Sequence, residues 1–190
     1  MRVLFVCTGN TCRSPIAEAL FQQKVQKIGE IGNIEVRSAG IHKFKGTYIS
    51  PHALTVLAEY GIQCDLQPQG INAETIAWAD LVLTMTRFHK YIAIAFYPTI
   101  RNKIFTLKEF VGEQNSLDIS DPVGKSLSRY RQCAQEIDFS LNLLQQKLVH
   151  FSPEACFDSL LPPTSQPLPL SVRLLQSFCS IFKNLLIFPW

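Results

Sequence analysis

Along the first 150 residues, short apolar runs take turns with stretches of helical period. Val3-Leu4-Phe5-Val6 predicts a buried strand over Arg2 to Val6, and Pro15 to Ile28 reads as an amphipathic helix ended by Gly29. Ile34-Glu35-Val36-Arg37-Ser38 alternates at period two and closes on Ala39-Gly40. Ser50-Pro51 starts a helix that runs through Tyr60 and stops at Gly61. Then come a short helix over Ala73 to Trp78, a buried strand over Asp80 to Met85 and a helical stretch from Arg87 to Ala95. A last strand is predicted over Lys103 to Leu107, and a long helix from Ser126 to Val149. Apolar runs separated by helices predict an α/β fold, a three-layer sandwich whose parallel sheet is covered on both faces. Such folds carry their working loops at the carboxyl ends of the strands.

The pattern changes around His150. Residues 151 to 190 hold four charged side chains, Glu154, Asp158, Arg173 and Lys183. Pro162-Pro163-Thr164-Ser165-Gln166-Pro167-Leu168-Pro169 reads as an extended linker. Beyond it Leu174, Leu175, Phe178, Cys179, Phe182, Leu185 and Leu186 share one helical face. Polar residues interrupt that segment too often for it to span a bilayer. A membrane surface, a partner's groove or the body of the protein are the three places left for it. The expected division is therefore a domain over 1–150 and a linker with an amphipathic tail over 151–190.

Composition narrows the class. A chain of 190 residues is long enough for one sizeable core and short for two. A net charge of +3 gives no footprint for nucleic acid, so none is expected as a partner. The apolar run at Val3 to Val6 is too short for an export signal. The six cysteines, Cys7, Cys12, Cys64, Cys133, Cys156 and Cys179, follow neither a disulfide-scaffold nor a zinc-ligand spacing. A reduced, cytoplasmic chain is expected.

The candidate chemistry sits where the first strand meets the first helix, at Cys7-Thr8-Gly9-Asn10-Thr11-Cys12-Arg13-Ser14. A loop entering a helix N-terminus aims backbone N–H groups at one point, and the helix dipole adds positive potential there. Tetrahedral anions bind such places, and a sulfur placed in that field is favoured as the thiolate. Arg13 can grip two phosphoryl oxygens with its planar fork. Gly9 and Asn10 tolerate the positive φ that a loop wrapped around an anion demands. Thr8, Gly9, Asn10, Thr11, Cys12 and Ser14 thus become the substrate-binding residues around the catalytic pair Cys7 and Arg13. Ser14 has two open roles. It caps the helix, with Pro15 at the first helical position and Glu18 near the reciprocal place, or its hydroxyl turns back to Cys7. Cys12 has two as well, trapping an oxidised Cys7 as a disulfide or packing under the loop.

Displacing a group from phosphorus also needs a proton donor opposite the nucleophile. The stretch from Phe110 to Leu127 supplies Glu113, Asp118 and Asp121. Asp121 stands out, because Pro122 and Gly124 would fix a rigid turn behind it. The competing role for Asp121 is capping the long helix, and Asp118 has a similar claim without a proline.

The loop with Asp121-Pro122 downstream resembles the low-molecular-weight protein tyrosine phosphatases. The resemblance covers about residues 1 to 150, including Arg37-Ser38-Ala39-Gly40, Ala79-Asp80-Leu81-Val82-Leu83 and Phe105-Thr106-Leu107-Lys108-Glu109-Phe110. It implies a four-stranded parallel sheet and a phosphatase that needs no metal or other cofactor and acts on phosphorylated proteins. It also implies Cys7 as nucleophile, Arg13 as phosphate clamp and Asp121 as general acid, then base. Phosphotyrosine members carry Ile or Leu where this chain has Thr11, and a threonine there resembles the bacterial protein-arginine-phosphatase branch. A hydroxyl on the pocket wall offers a guanidinium a hydrogen-bonding partner, worth about 0.5–1.5 kcal/mol net. The expected reaction is therefore hydrolysis of phosphoarginine through a phosphocysteine, with phosphotyrosine as the alternative substrate.

Three positions depart from the family pattern. Val123 replaces the aromatic residue after Asp-Pro, so the wall there is expected to be weaker. Leu66-Gln67-Pro68-Gln69 replaces a histidine-containing segment, which puts a loop-bracing contact in question. The tail after His150 has no counterpart. Two more distant rivals are an arsenate reductase, which would want further relay cysteines where none lies between Cys64 and Cys133, and a phosphopeptide-binding module, which would need no nucleophile.

Overall fold

β1 (Arg2–Cys7) is buried along nearly its whole length because both of its faces are covered. In the computed structural model, which describes residues 1–28, 34–42, 46–114 and 116–150, it lies inside a four-stranded sheet ordered β2-β1-β3-β4. Its neighbours are β2 (Glu35–Gly40) and β3 (Leu81–Thr84), with β4 (Ile104–Thr106) at the far edge. Every pairing is parallel. The described residues belong to one compact unit, Met1–Ser152. The linker and amphipathic stretch expected beyond it lie outside the described residues.

The helices are α1 (Arg13–Ile28), α2 (Pro51–Glu59), α3 (Ala73–Trp78), α4 (Arg87–Phe96), α5 (Leu107–Val111) and α6 (Leu127–His150). Alternate residues of β1 feed two cores, as strand geometry requires. Val3 and Phe5 pack with Ile16, Leu20 and Phe21 of α1, Val56 and Leu57 of α2, and Ile137, Leu141 and Leu144 of α6. Leu4 and Val6 pack on the other face with Ile76 of α3, Ala93 of α4 and Ile100. The three layers predicted from the apolar runs are therefore present.

Local chemistry adjusts the predicted boundaries. β3 and β4 are each shorter than predicted, and β4 ends at Thr106 because Leu107 already opens α5. Thr106 accepts from the Glu109 N–H while the Glu109 carboxylate accepts from the Thr106 N–H, a reciprocal cap that starts a helix. Gly112, at φ 93°, ends it. The first helix begins at Arg13 rather than Pro15, so Ser14 is already inside it and does not cap it. Glu18 does not reach back to cap either. Its carboxyl accepts from Ser38 Oγ at 2.6 Å and from Gln22 Nε2 at 3.2 Å.

Register sets the position of the loop. Cys7 stands opposite Gly40, and Val6 opposite both Ala39 and Thr84. Residues 7–13 therefore leave the sheet at its carboxyl edge, with the segments after β2 and β3 on either side.

Candidate active site

Cys7 closes β1 and Arg13 opens α1, so the five residues between them turn the chain sharply at a helix N-terminus. Asn10 makes the turn at φ 56°, the one non-glycine residue with positive φ among the described residues. That conformation costs about 1 kcal/mol or more, and the Asn10 side chain offsets it. Its Nδ2 donates to Ser14 Oγ at 3.0 Å and to Ser38 Oγ at 2.7 Å, while its Oδ1 accepts from the Gln69 N–H at 2.9 Å. Asn10, Arg13 and Ser14 are all buried.

The loop is also pinned through its backbone. The Ile41 and His42 N–H groups donate to the Cys7 and Thr8 carbonyls, and the Ser50 N–H donates to the Thr11 carbonyl. Gly40 has no room for a side chain, since a Cβ there would lie 2.8 Å from the Gly9 carbonyl carbon. The segment Leu66-Gln67-Pro68-Gln69, where a loop-bracing contact was in question, does brace the loop. Gln69 supplies the contact through its backbone N–H, and its Nε2 also donates to the Ser38 carbonyl at 2.9 Å. A backbone donor does that work whatever the side chain is.

Of the two roles open to Ser14, the structure selects the second. Its hydroxyl donates to Cys7 Sγ at 2.9 Å, and the Asn10 N–H donates to the same sulfur at 3.3 Å. Both donors are aimed at the sulfur from the floor of the loop. Cys7, Thr8, Gly9, Thr11, Cys12 and Arg13 line a cavity of about 130 Å³ with Asp121 and Val123. Asn10 and Ser14 stand behind it as supports. Thr11 Oγ1 is 3.6 Å from Cys12 Sγ.

Asp121 and Asp118 separate cleanly. Asp121 Oδ2 pairs with Arg13 Nη2 at 2.7 Å, and its Oδ1 accepts from the Val123 N–H at 3.1 Å, which fixes the turn at Pro122. Arg13 is 4% exposed and Asp121 50%, so the pair spans the wall of the cavity. Asp118 instead accepts from the Arg87 N–H at 2.7 Å. Asp121 does not cap the long helix. The Ser126 carbonyl accepts from the Arg129 and Tyr130 N–H groups at that end. Val123 is exposed at the rim, where the sequence predicts a weaker wall.

Two residues not selected from the sequence complete the surroundings. His89 Nε2 lies 2.8 Å from Thr8 Oγ1, and its Nδ1 lies 2.8 Å from Thr86 Oγ1. Burial, with the nearby Arg13 charge, pushes the imidazole down to about 4, so it is neutral beside Arg13. Tyr130 OH lies 3.2 Å from Cys12 Sγ and accepts from Ser50 Oγ at 3.1 Å. Burial and the Cys12 contact push that phenol up to about 12. Both residues are some 80 or 120 positions from the loop they touch, as 89 minus 8 and 130 minus 12 show.

Glu18 is the buried acid closest in connection to the loop. Burial pushes it up to about 7, against the opposing pull of its Ser38 hydrogen bond. Cys133 is a poor redox partner. It is fully buried, donates to the Ser120 carbonyl at 3.4 Å, and burial pushes its thiol up to about 12. Among the described residues no group of three or more His, Cys, Asp or Glu is placed to hold a metal ion.

Comparison with known proteins agrees with this arrangement. The family model described as low molecular weight phosphotyrosine protein phosphatase matches residues 2–151. A protein-arginine-phosphatase of Geobacillus stearothermophilus is 41% identical over 147 residues, which is 77% of this chain and 95% of that protein. A low molecular weight protein-tyrosine-phosphatase PtpB of Staphylococcus haemolyticus is 34% identical, covering 76% of this chain and 98% of its own length. A solved structure of the YwlE arginine phosphatase, a Cys-to-Ser variant with a phosphorylated active-site serine, superposes with a TM-score of 0.75 at 38% identity. It covers 80% of this chain and 97% of that one. With a family model spanning most of its length and relatives above 30% identity over their full extent, the chain belongs to the low molecular weight phosphotyrosine protein phosphatases.

Proposed function

We propose that this chain is a cysteine-dependent protein phosphatase that hydrolyses phosphoarginine through a phosphocysteine. The observation that carries the chemistry is one cavity lined by Cys7, Arg13 and Asp121, with two donors on the Cys7 sulfur. In the first step the Cys7 thiolate attacks phosphorus in line. The loop amides and Arg13 hold the equatorial oxygens as charge gathers on them. An arriving phosphoryl dianion competes with Asp121 for the Arg13 fork, which frees the carboxyl to serve the leaving group. Released from Arg13, the Asp121 carboxyl takes up a proton from solvent. It passes that proton to the departing nitrogen as the Sγ–P bond forms and the P–N bond breaks. The resulting carboxylate then takes a proton from the water that attacks the phosphocysteine, which frees phosphate and the Cys7 thiolate.

Preference for phosphoarginine rests on Thr11, which lines the cavity, and on the likeness to a protein-arginine-phosphatase. Phosphotyrosine is the second reading, favoured by the likeness to a tyrosine phosphatase. The test is the ratio of kcat/KM on phosphoarginine and phosphotyrosine peptides of one sequence. A higher value on phosphoarginine is expected, and the reverse order would replace the first reading by the second. A reducing, cytoplasmic setting suits a working thiol. No helix among the described residues is long and apolar enough to cross a membrane.

A further inference from the structure

The residue that presents the acid is held from outside the cavity. Ser120 precedes Asp121, and its N–H and Oγ both donate to Glu136 Oε2 on α6, at 3.2 and 2.8 Å. Glu136 Oε1 in turn pairs with Lys108 Nζ on α5 at 2.6 Å. Lys108 is buried and lies 3.8 Å from Glu113, whose other oxygen accepts from Ser140 Oγ. One residue further back, the buried Ile119 donates its N–H to the Met85 carbonyl at the end of β3, and its carbonyl accepts from Arg13 Nη1 at 3.5 Å. Ile119 is thus tied to the sheet and the clamp, and Ser120 to two helices. Asp121 follows with half of its side chain exposed. Its aim depends on its own bonds to Arg13 and the Val123 N–H and on what holds the residue before it.

We propose that Glu136, fixed by Lys108, is a positioning residue that sets the reach of Asp121 toward the leaving group by gripping Ser120. The inference rests on the reading of Asp121 as the general acid. Glu136 touches neither Arg13 nor the cavity, so it works only through the loop. Burial alone would raise its pKa, but the hydrogen bonds from Lys108 and Ser120 and the Lys108 charge hold it below the ordinary carboxylate value. It therefore stays an acceptor on both oxygens at working pH. Glutamine cannot replace it. An amide has one acceptor oxygen, and Lys108 and the Ser120 N–H are both obligate donors on opposite sides, so one of those two contacts must be lost even when the Ser120 hydroxyl turns to accept from the amide nitrogen. The buried Lys108 keeps Glu113 as a counter-charge in that variant, which spares the fold an orphaned cation.

The readout is sensitivity to the leaving group. Phenyl phosphate needs proton delivery to its departing oxygen far more than 4-nitrophenyl phosphate does, and kcat/KM reports that first step. For Asp121→Asn, kcat/KM is expected to fall roughly 100-fold on phenyl phosphate and far less on 4-nitrophenyl phosphate. Glu136→Gln is expected to show the same selectivity at smaller scale, about 10-fold on phenyl phosphate, short of the roughly 100-fold that a 1 Å misplacement can cost. Ser120→Ala, which keeps the backbone contact, should lose a few-fold in the same direction and serves if Glu136→Gln does not fold. If Asp121→Asn loses both substrates equally, the acid reading falls and this inference with it. If Asp121→Asn is selective while Glu136→Gln and Ser120→Ala keep the wild-type ratio, or lose both substrates in parallel, Glu136 is structural only and the inference alone is overturned.

Discussion

The two segments that meet at Arg13 are built on different plans. Within residues 7–14, Cys7, Asn10, Cys12, Arg13 and Ser14 are buried, and the loop is tied to itself and to the sheet edge. Asn10, Ser14 and Ser38 form one hydrogen-bonded cluster under the sulfur, and Gly40 leaves no slack behind the loop. The segment bearing Asp121 is half open to solvent and is anchored through Ile119 and Ser120 to elements far from it in sequence. On the proposed mechanism the side that carries Cys7 is thus preorganised, as stabilising a transition-state charge requires. On the other side Asp121, by the same mechanism, parts from Arg13 and meets leaving groups of different size. A weaker hold on that side is compatible with its task, and a weaker hold on the other would not be.

The largest expected effect tests the buried side. Cys7→Ser should lower kcat/KM on every substrate by roughly 10⁴-fold or more, since the covalent route is removed while the cradle stays. Steady-state assays on phosphoarginine and phosphotyrosine peptides measure it, and retention of about a tenth of the activity would refute a sulfur nucleophile. Asp121→Asn should cost less, roughly 10²- to 10³-fold with a poor leaving group. It should leave product inhibition by inorganic phosphate intact or tightened, because a neutral amide competes less well than a carboxylate for Arg13. If Asp121→Asn matched Cys7→Ser on all substrates, the two sides would not be separable in the way their burial suggests.

The next effect asks how the cradle responds to pH. Glu18 is raised from the ordinary carboxylate value to about 7 by burial, so the folded chain holds this proton more tightly than the unfolded chain does. Stability from this group is complete below about pH 4.5 and is lost as pH rises through 7, by about 3 kcal/mol at most. Glu59, Asp80, Glu109 and Glu136 are all shifted down and slope the other way, so the comparison must be made against Glu18→Gln. Urea midpoints of the two proteins should move apart between pH 5 and pH 8, with the wild type losing ground. Parallel midpoints would show that burial does not hold the Glu18 proton.

How much of this was legible from the residues depended on distance along the chain. The layers follow from apolar runs, Cys7 and Arg13 from the loop that joins a strand to a helix, and Asp121 from its Asp-Pro turn together with the family resemblance. What escaped is of two kinds. Thr8 with His89, Cys12 with Tyr130 and Ser120 with Glu136 are partners across separate elements, and no local spacing announces them. Glu18 escaped for the opposite reason. The local rule for a helix start fits its spacing, and leaves a capping role open for Ser14 beside the contact to Cys7, but the fold offered stronger partners in Cys7 and Ser38. The α5 helix was within reach, because Thr106-Leu107-Lys108-Glu109 carries the spacing of a reciprocal cap. The apolar run into Leu107 concealed it.

The smallest effect falls where the two sides face each other across the cavity. Thr11 belongs to the pinned loop, yet it also lines the cavity. Threonine and isoleucine share a β-branch, so Thr11→Ile should keep the loop's backbone and change only what the wall offers. A guanidinium leaving group loses a hydrogen-bond acceptor, worth about 0.5–1.5 kcal/mol, or roughly a 2- to 10-fold fall in kcat/KM on phosphoarginine. An aromatic ring loses nothing and gains an apolar contact, so phosphotyrosine should hold or improve. The ratio of the two rates is the quantity to measure, because a loosened cradle would lower both together. An unchanged ratio would place the substrate choice on the other side of the cavity, at Val123 and the loop that carries Asp121.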